Sequence, residues 1–278
     1  MLSPVLKAIT KLTLPFLLFT LLVPASAADF STSCPTPTQP NVGCWILLRG
    51  SIVRGDADRL LTALKSQPRG SDIYRFLLLD SPGGDVAEAL KLTKIVQNAL
   101  LETQNSSVVL TGLLKGPAYT CASSCVLILM AGVQRNFTPF DGGRLGLHRP
   151  SFSPETYLGT SLASDLAERQ HQAMRYVREF LLSEGMPQRL VEEMMNRSSK
   201  EIYWVDFIND WLDVRSRAAW FDEMLISRCN FDPTAEGRVG RAMVEGNKTA
   251  ESLARADVLR SASCARSLIR DTQARLRV

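Results

Sequence analysis

One stretch of the chain combines small residues with a long apolar run, and it constrains the fold more than any other part. Thr120–Gly132 begins with cysteine, alanine and serine residues and passes directly into the apolar run Val126–Met130. Small side chains allow the backbone to turn close to a neighbouring strand in a densely packed interior. The apolar run predicts a helix that is fully buried in a core and is too short to span a membrane.

Ser124, at the first turn of this predicted helix, is the candidate nucleophile. A hydroxyl at that position lies beside free backbone N–H groups and the positive end of the helix dipole. Such donors stabilise an oxyanion that develops during acyl transfer. On this stretch alone, helix N-capping with close packing explains the serine better. The functional interpretation therefore depends on residues elsewhere in the chain.

Composition indicates one sizeable core. The chain has 278 residues, of which 45% are hydrophobic and 22% charged. These values favour an α/β core with appendages over a disordered or fibrous protein. Beyond residue 27 there are 30 basic and 28 acidic residues, a net charge of +2. This balance indicates neither a nucleic-acid partner nor an acidic one.

Residues 1–27 are predicted to be a signal peptide. Lys7 and Lys11 give a basic start, Leu12–Val23 is apolar but shorter than a membrane span, and Ala25–Ala27 supplies small residues for cleavage before Ala28. We therefore expect a periplasmic or secreted protein with no stable membrane span after cleavage. An uncleaved membrane anchor is the alternative.

All six cysteines lie beyond this leader, and an even number in an exported chain favours disulfides over metal. Buried reduced thiols are the alternative. Only two histidines are present, with no clustered Cys/His/Asp set, so we expect no metal site and no cofactor. Sequence neighbours predict the pairs Cys34–Cys44, Cys121–Cys125 and Cys229–Cys264.

Strands alternate with helices in the central part of the chain, which predicts a parallel sheet with right-handed crossovers. Functional sites of such sheets form at the carboxyl ends of strands. The Ser81–Asp85 turn, Ser124 and His148 all follow a predicted strand end or begin a predicted helix. The predicted strands are Cys44–Val53, Tyr74–Asp80, Ser107–Gly112 and Arg144–His148, and the helices between the first of them are Asp56–Lys65 and Val86–Leu101.

The remainder of the chain is predicted to be helical. Ser161–Glu184 is a polar-faced helix that places His171 in solvent, and Gln188–Asn196 is a second helix. After Cys229 we expect a loop at 232–246 and an arginine-rich helix at 249–278. The predicted division is a signal peptide at 1–27, an extended arm at 28–43, a main domain at 44–228 and a C-terminal helical appendage at 229–278.

Three motifs, taken in order, resemble the Clp-type serine peptidases of the ClpP/crotonase-like superfamily. They are Asp80-Ser-Pro-Gly-Gly84, Cys121-Ala-Ser-Ser-Cys125 and Leu147-His-Arg-Pro150. The resemblance covers roughly residues 45–211, and His148 follows Ser124 by 24 positions, close to the family's interval. It implies a spiral of βαβ units built around a parallel sheet.

By this resemblance Ser124 matches the nucleophile and His148 the general base. The backbone N–H groups of Gly84 and Cys125 match the oxyanion hole. The family's third residue, an aspartate on a late helix, has no counterpart here. Asn196 falls closest to its position, and an amide orients the catalytic histidine in some hydrolases. Ser198 is a weaker candidate for the same role.

The resulting hypothesis is an exported serine hydrolase, an ATP-independent Clp-like peptidase that uses a Ser–His pair on peptides or unfolded protein. The alternative is a catalytically weak or inactive periplasmic binding or scaffold protein that keeps the fold. Export disfavours a crotonase-like acyl-CoA enzyme, and a Ser–Lys dyad with Lys115 has a weaker motif than His148. Whether the protein forms a homo-oligomer is left open.

Overall fold

The computed structural model describes residues 27–34, 44–67, 75–105, 119–137, 143–150, 163–198, 200–206, 208–214 and 216–275. Within these ranges the chain is a mixed α/β structure with eight strands and eight α-helices. Most of the predicted leader, the predicted strand at 107–112 and Lys115 lie outside the described residues.

The elements follow one another along the chain as predicted in outline. The strands are β1 Asp29–Ser33, β2 Cys44–Arg49, β3 Arg75–Asp80, β4 Glu102–Gln104, β5 Thr120–Ala122, β6 Arg135–Asn136, β7 Arg144–Leu147 and β8 Tyr203–Trp204. The helices are α1 Asp56–Ser66, α2 Val86–Asn98, α3 Cys125–Met130, α4 Ala163–Ser183, α5 Gln188–Asn196, α6 Ala219–Cys229, α7 Ala235–Val244 and α8 Lys248–Arg275.

The strands form two sheets, with the orders β1-β2-β3-β4-β6 and β5-β7-β8. Neighbours from β2 to β6 are parallel, as are β5 and β7, whereas β1 and β8 are antiparallel edge strands. The parallel α/β prediction is thereby confirmed. The sheets meet where β3 ends, since the Ser81 N–H donates to the Thr120 carbonyl at 2.6 Å and the Ser81 carbonyl accepts from the Ala122 N–H at 3.0 Å.

Helix α3 lies in the middle of the core. All six of its residues have no exposed surface, which confirms the buried helix that the apolar run predicts. Ile46 and Leu48 of β2 and Leu77 and Leu79 of β3 pack in the same cluster, together with the apolar faces of α1, α2 and α5. This burial fixes the position of the turn that precedes α3.

Within the expected extended arm, Asp29–Ser33 is strand β1, paired with β2. Two local predictions need correction. The predicted helix Val86–Leu101 ends at Asn98, because Leu100 adopts a left-handed conformation with φ of 47°. The loop expected at 232–246 contains helix α7, in which Ala235 and Ala242 are buried despite two internal glycines. Tertiary packing there outweighs the weak helix propensity of glycine.

All three predicted disulfides are present. Cys121–Cys125 links β5 to the first residue of α3, and Cys229–Cys264 links the end of α6 to α8. Disulfides of this kind indicate an oxidising compartment. None of the described helices is long and apolar enough to cross a membrane. The described residues also contain no group of three or more His, Cys, Asp and Glu side chains placed to hold a metal ion.

The amino terminus of α1 is capped from another helix. Gly55, the residue before α1, offers no side chain. The buried carboxylate of Glu88 on α2 instead accepts the N–H groups of Gly55 at 3.0 Å and Ala57 at 2.8 Å. Burial alone would raise the pKa of Glu88, but the hydrogen bonds from Lys91, Ala57 and Gly55 outweigh it and leave that pKa lowered.

We expect Glu88→Gln to reduce the free energy of unfolding by about 1–2 kcal/mol at neutral pH, because the amide cannot supply a charged acceptor. A lowered folded-state pKa stabilises the fold above the unfolded value of 4.5. The deficit of the variant should therefore shrink as the pH falls below 4.5 through the folded-state pKa. Urea unfolding of both proteins at matched pH measures this difference in the free energy of unfolding. A deficit that is constant with pH would contradict this account.

Candidate active site

The Pro-Gly-Gly turn after β3 is wedged between two other parts of the chain. On one side Ile52 N–H donates to the Gly83 carbonyl at 2.9 Å, and Asp85 N–H donates to the Ile52 carbonyl at 2.8 Å. On the other side a Cβ placed on Gly83 would lie 2.6 Å from the Ser123 Cβ. A Cβ on Gly84 would lie 2.1 Å from the Ile52 carbonyl oxygen. Both glycines are therefore required by close backbone approach, and φ is positive at each.

Gly84→Ala should destabilise the protein by about 1–3 kcal/mol or more, because it adds both a steric overlap and backbone strain at a φ of 150°. The overlap is with backbone rather than with a movable side chain. Thermal unfolding monitored by circular dichroism measures the loss. Gly240→Ala is the matched control, since a Cβ on that helical glycine meets nothing within 4 Å. An equal change of stability in the two variants would contradict the close approach of Gly84 to the Ile52 backbone.

The turn between β5 and α3 carries two serines in different conformations. Ser123 is left-handed, with φ of 56°, whereas Ser124 has helical dihedrals. Ser123 N–H extends the sheet by donating to the Gly146 carbonyl at 3.0 Å. A non-glycine residue with positive φ at a sharp strand-to-helix turn is a form of strain found at functional sites.

The two hydroxyls also differ in their surroundings. Ser124 has no exposed surface, and its Oγ donates to the Gly84 carbonyl at 3.2 Å. Ser123 is 6% exposed, and its hydroxyl makes no hydrogen bond with any described residue. The hydroxyl of Ser123 is therefore free to meet a substrate, whereas that of Ser124 must first break a buried hydrogen bond.

Several backbone donors around this turn are unused. In the described part of the chain, the N–H groups of Gly84, Ser124 and Cys125 have no hydrogen-bond partner. Buried N–H groups are rarely left unpaired. Unpaired donors of this kind can stabilise an oxyanion. Two of them, on Gly84 and Cys125, belong to the residues that the motif resemblance assigns to an oxyanion hole.

His148 lies at the same edge of the sheet as the serine turn. Strands β5 and β7 are parallel with Ala122 opposite Gly146, so Ser124 and His148 each lie two residues beyond that pair. His148 is half-buried, and its Nδ1 lies 3.0 Å from the Arg149 carbonyl oxygen. In the tautomer with the proton on Nδ1, this carbonyl accepts it and leaves Nε2 as a free base.

Asn196 is exposed at the end of α5, and among the described residues no hydrogen bond joins it to His148. Ser198 is turned towards Glu201, to which its hydroxyl donates at 3.2 Å. His171 is exposed on α4, as expected. In the described part of the chain, the hydrogen-bond partner of the His148 ring is thus the Arg149 carbonyl.

The Asp80 side chain makes a further contact at this edge that the sequence did not predict. The Asp80 carboxylate accepts the Thr120 N–H at 3.0 Å and the Arg49 Nε–H at 2.9 Å, and thereby joins the ends of β2 and β3 to the start of β5. The Arg49 guanidinium lies 5.6 Å from the centre of the buried Tyr119 ring. Burial raises the pKa of the Tyr119 hydroxyl, so that hydroxyl stays neutral at physiological pH. Asp80 thus fixes the strand that presents the serine turn.

No protein-family model matches the chain, and no curated protein is detectably similar to it in sequence. Among solved structures, ClpP1 from Listeria monocytogenes is similar over 61% of this chain and 85% of its own length, with 14% sequence identity and a TM-score of 0.41. That similarity is remote. It establishes neither the family of this chain nor its activity.

Proposed function

We propose that this chain is an exported serine hydrolase that cleaves peptides or unfolded protein without an ATP-driven partner. His148 is the general base, and the hydroxyl comes from the Ser123–Ser124 turn. The proposal includes a ClpP/crotonase-like domain at 44–228 and a helical appendage at 229–278. The preference for peptide substrates comes from the three sequence motifs, and export comes from the predicted leader together with the disulfides.

The observation that carries the proposal is the set of unpaired backbone N–H groups beside the serine turn. The N–H groups of Gly84, Ser124 and Cys125 have no partner among the described residues. The same edge holds a histidine whose Nε2 is free when Nδ1–H donates to the Arg149 carbonyl. A hydroxyl, a base and oxyanion donors at one edge are the groups that acyl transfer requires.

The geometry favours Ser123 as the nucleophile over Ser124, the residue that the motif resemblance indicates. The Ser123 hydroxyl has no competing hydrogen bond with described residues, and Ser123 keeps 6% of its surface accessible whereas Ser124 keeps none. With Ser123 as nucleophile, the N–H of the following residue is that of Ser124, and Gly84 supplies a second donor. With Ser124 as nucleophile, the N–H of the following residue is that of Cys125. The two assignments differ in the nucleophile and in the first N–H donor, and they are experimentally separable.

A fluorophosphonate probe tests the activity, since it forms a covalent adduct only with an activated serine. The oxidised, folded protein should be labelled once per chain, and peptide mapping by mass spectrometry should place the adduct on Ser123. An adduct on Ser124 would restore the sequence-based assignment. No adduct on either serine in folded protein would exclude a serine hydrolase of this kind.

The second candidate function is a non-catalytic binding or scaffold protein with the same fold. It is favoured by the exposed position of Asn196, which leaves His148 without a side-chain partner in the described part of the chain. A carboxylate or amide partner stabilises the imidazolium during catalysis, and a single carbonyl does so less well. An unlabelled protein that still retains peptides in a pull-down would support this candidate.

A further inference from the structure

A cavity of about 440 Å³ lies away from the serine turn, where strands of the larger sheet begin. Its sheet side includes Phe76, the second residue of β3, and Glu102, the first residue of β4. The serine turn and His148, in contrast, follow the carboxyl ends of their strands. The opposite wall of the cavity is formed by α6 and α8. Its volume is within the range of small-molecule sites in proteins.

One side of this cavity is apolar, while polar groups make up about half of its surface. Its floor includes Val133, Phe221, Leu225 and Ile269, which belong to one buried cluster between the sheet edge and the helices. Phe76 adds an aromatic face. An apolar surface beside polar groups matches a ligand that itself has an apolar body and a polar end.

Two arginines lie on the lining of this cavity. The Nε–H of Arg217 donates to Asp222 at 2.5 Å, and the guanidinium lies 4.7 Å from the centre of the Phe231 ring, so its orientation is fixed. Arg266 has no hydrogen-bond or ion-pair partner among the described residues. Glu102 adds an acidic side chain to the lining, and Asp222 offsets the charge of Arg217, so the cation available to an anionic ligand is the exposed Arg266.

The walls are held in place before any ligand binds. The Cys229–Cys264 disulfide ties the end of α6 to α8 next to the lining residue Ala265. Further along α8, Gln273 Nε2–H donates to the Leu100 carbonyl at 3.3 Å and fastens the helix to the end of α2. Because a preorganised site loses less conformational freedom on binding, such bracing favours affinity.

We infer that this cavity binds a small amphipathic carboxylate, whose apolar body lies against the Phe221 side of the cavity while its carboxylate meets Arg266. A planar guanidinium matches a carboxylate through two parallel hydrogen bonds. The lining residues are different from those of the proposed active site. The cavity would therefore bind its ligand whether or not Ser123 is a nucleophile.

Isothermal titration calorimetry with 4-phenylbutyrate, and with its uncharged analogue 4-phenyl-1-butanol, tests this site on the oxidised full chain. We expect wild type to bind the carboxylate at least about tenfold more tightly than the alcohol, because a hydrogen-bonded charge contributes that much or more. Arg266→Gln should lose this preference. Arg275→Gln, an exposed position on the same helix outside the cavity, should keep it.

A second variant separates loss of charge from loss of space. Ala262→Phe places a ring inside the cavity and leaves both arginines unchanged. It should abolish binding, while the melting temperature stays near that of wild type. Equal affinity for the acid and the alcohol would overturn the inference. So would absence of binding to wild type, or unchanged binding by Ala262→Phe. Each readout is a binding constant, so the result is independent of fluorophosphonate labelling.

Discussion

Replacing Ser123 with alanine should abolish fluorophosphonate labelling and reduce peptide or ester hydrolysis to the background of the solution. The reason is that Ser123 combines a strained backbone with a hydroxyl that has no hydrogen bond to the described residues. His148→Ala should reduce turnover by at least about 100-fold, the usual contribution of a general base. The double variant should be no slower than the worse single variant, because nucleophile and base act as one unit. Steady-state kinetics on the three variants measures this.

Ser124→Ala is the matched control. It removes a buried hydrogen bond to the Gly84 carbonyl and leaves the Ser124 N–H intact, so a moderate loss of activity is expected rather than complete loss. His171→Ala should have no effect, since that histidine is exposed on α4. Full activity in Ser123→Ala together with none in Ser124→Ala would reverse the assignment. Full activity in both would end the serine-hydrolase proposal.

Replacing Glu184 with alanine should have the largest effect on stability, a loss of about 3–5 kcal/mol. The Arg135 side chain has no exposed surface, and its Nη2 lies 2.8 Å from Glu184 Oε2. The same carboxylate accepts hydrogen bonds from Gln97 at 2.8 Å and Trp220 at 3.3 Å, and so joins α2, β6 and α6. Burial raises the pKa of Glu184 although Arg135 opposes the shift, which reflects the cost of desolvating the carboxylate.

The matched control for Glu184 is an exposed ion pair. Glu193 and Arg197 form an ion pair in which the side chains are 41% and 39% exposed. Glu193→Ala breaks this pair and should lower the free energy of unfolding by less than about 1 kcal/mol. The double change Arg135→Met with Glu184→Leu should recover part of the lost stability, because it removes both charges together. Urea unfolding compares all four proteins. If Glu184→Ala were as mild as Glu193→Ala, the buried pair would not be a structural link.

Local sequence patterns were sufficient for the parts of the fold that depend on local signals. The apolar run Val126–Met130 predicted a buried helix, and β2, β3 and β7 were predicted close to their actual bounds. Neighbouring cysteines predicted all three disulfides. The helix and the strands are encoded within short windows by hydrophobic periodicity, and the disulfides follow from pairing each cysteine with the next one along the chain.

Other features depend on contacts between distant residues. Glu88 caps α1 from 31 positions away from Ala57, and Arg135 meets Glu184 across 49 positions. No short local pattern in the sequence indicates that such residues will meet. The distinction between Ser123 and Ser124 is of another kind, because two identical side chains differ only in a backbone dihedral set by the surrounding turn. Adjacent serines in the sequence could have prompted both assignments, but not a choice between them.

The Cys229–Cys264 disulfide has a consequence for how the intact protein would be handled. It closes a loop of 35 positions that contains α7 and half of α8, including the exposed Leu253 and Leu259. A protease that cuts anywhere inside this loop leaves the two fragments covalently joined. Nicked protein would run as a single band on a non-reducing gel and separate into two only after reduction. Purity judged without reductant would therefore overestimate how much of the chain is whole.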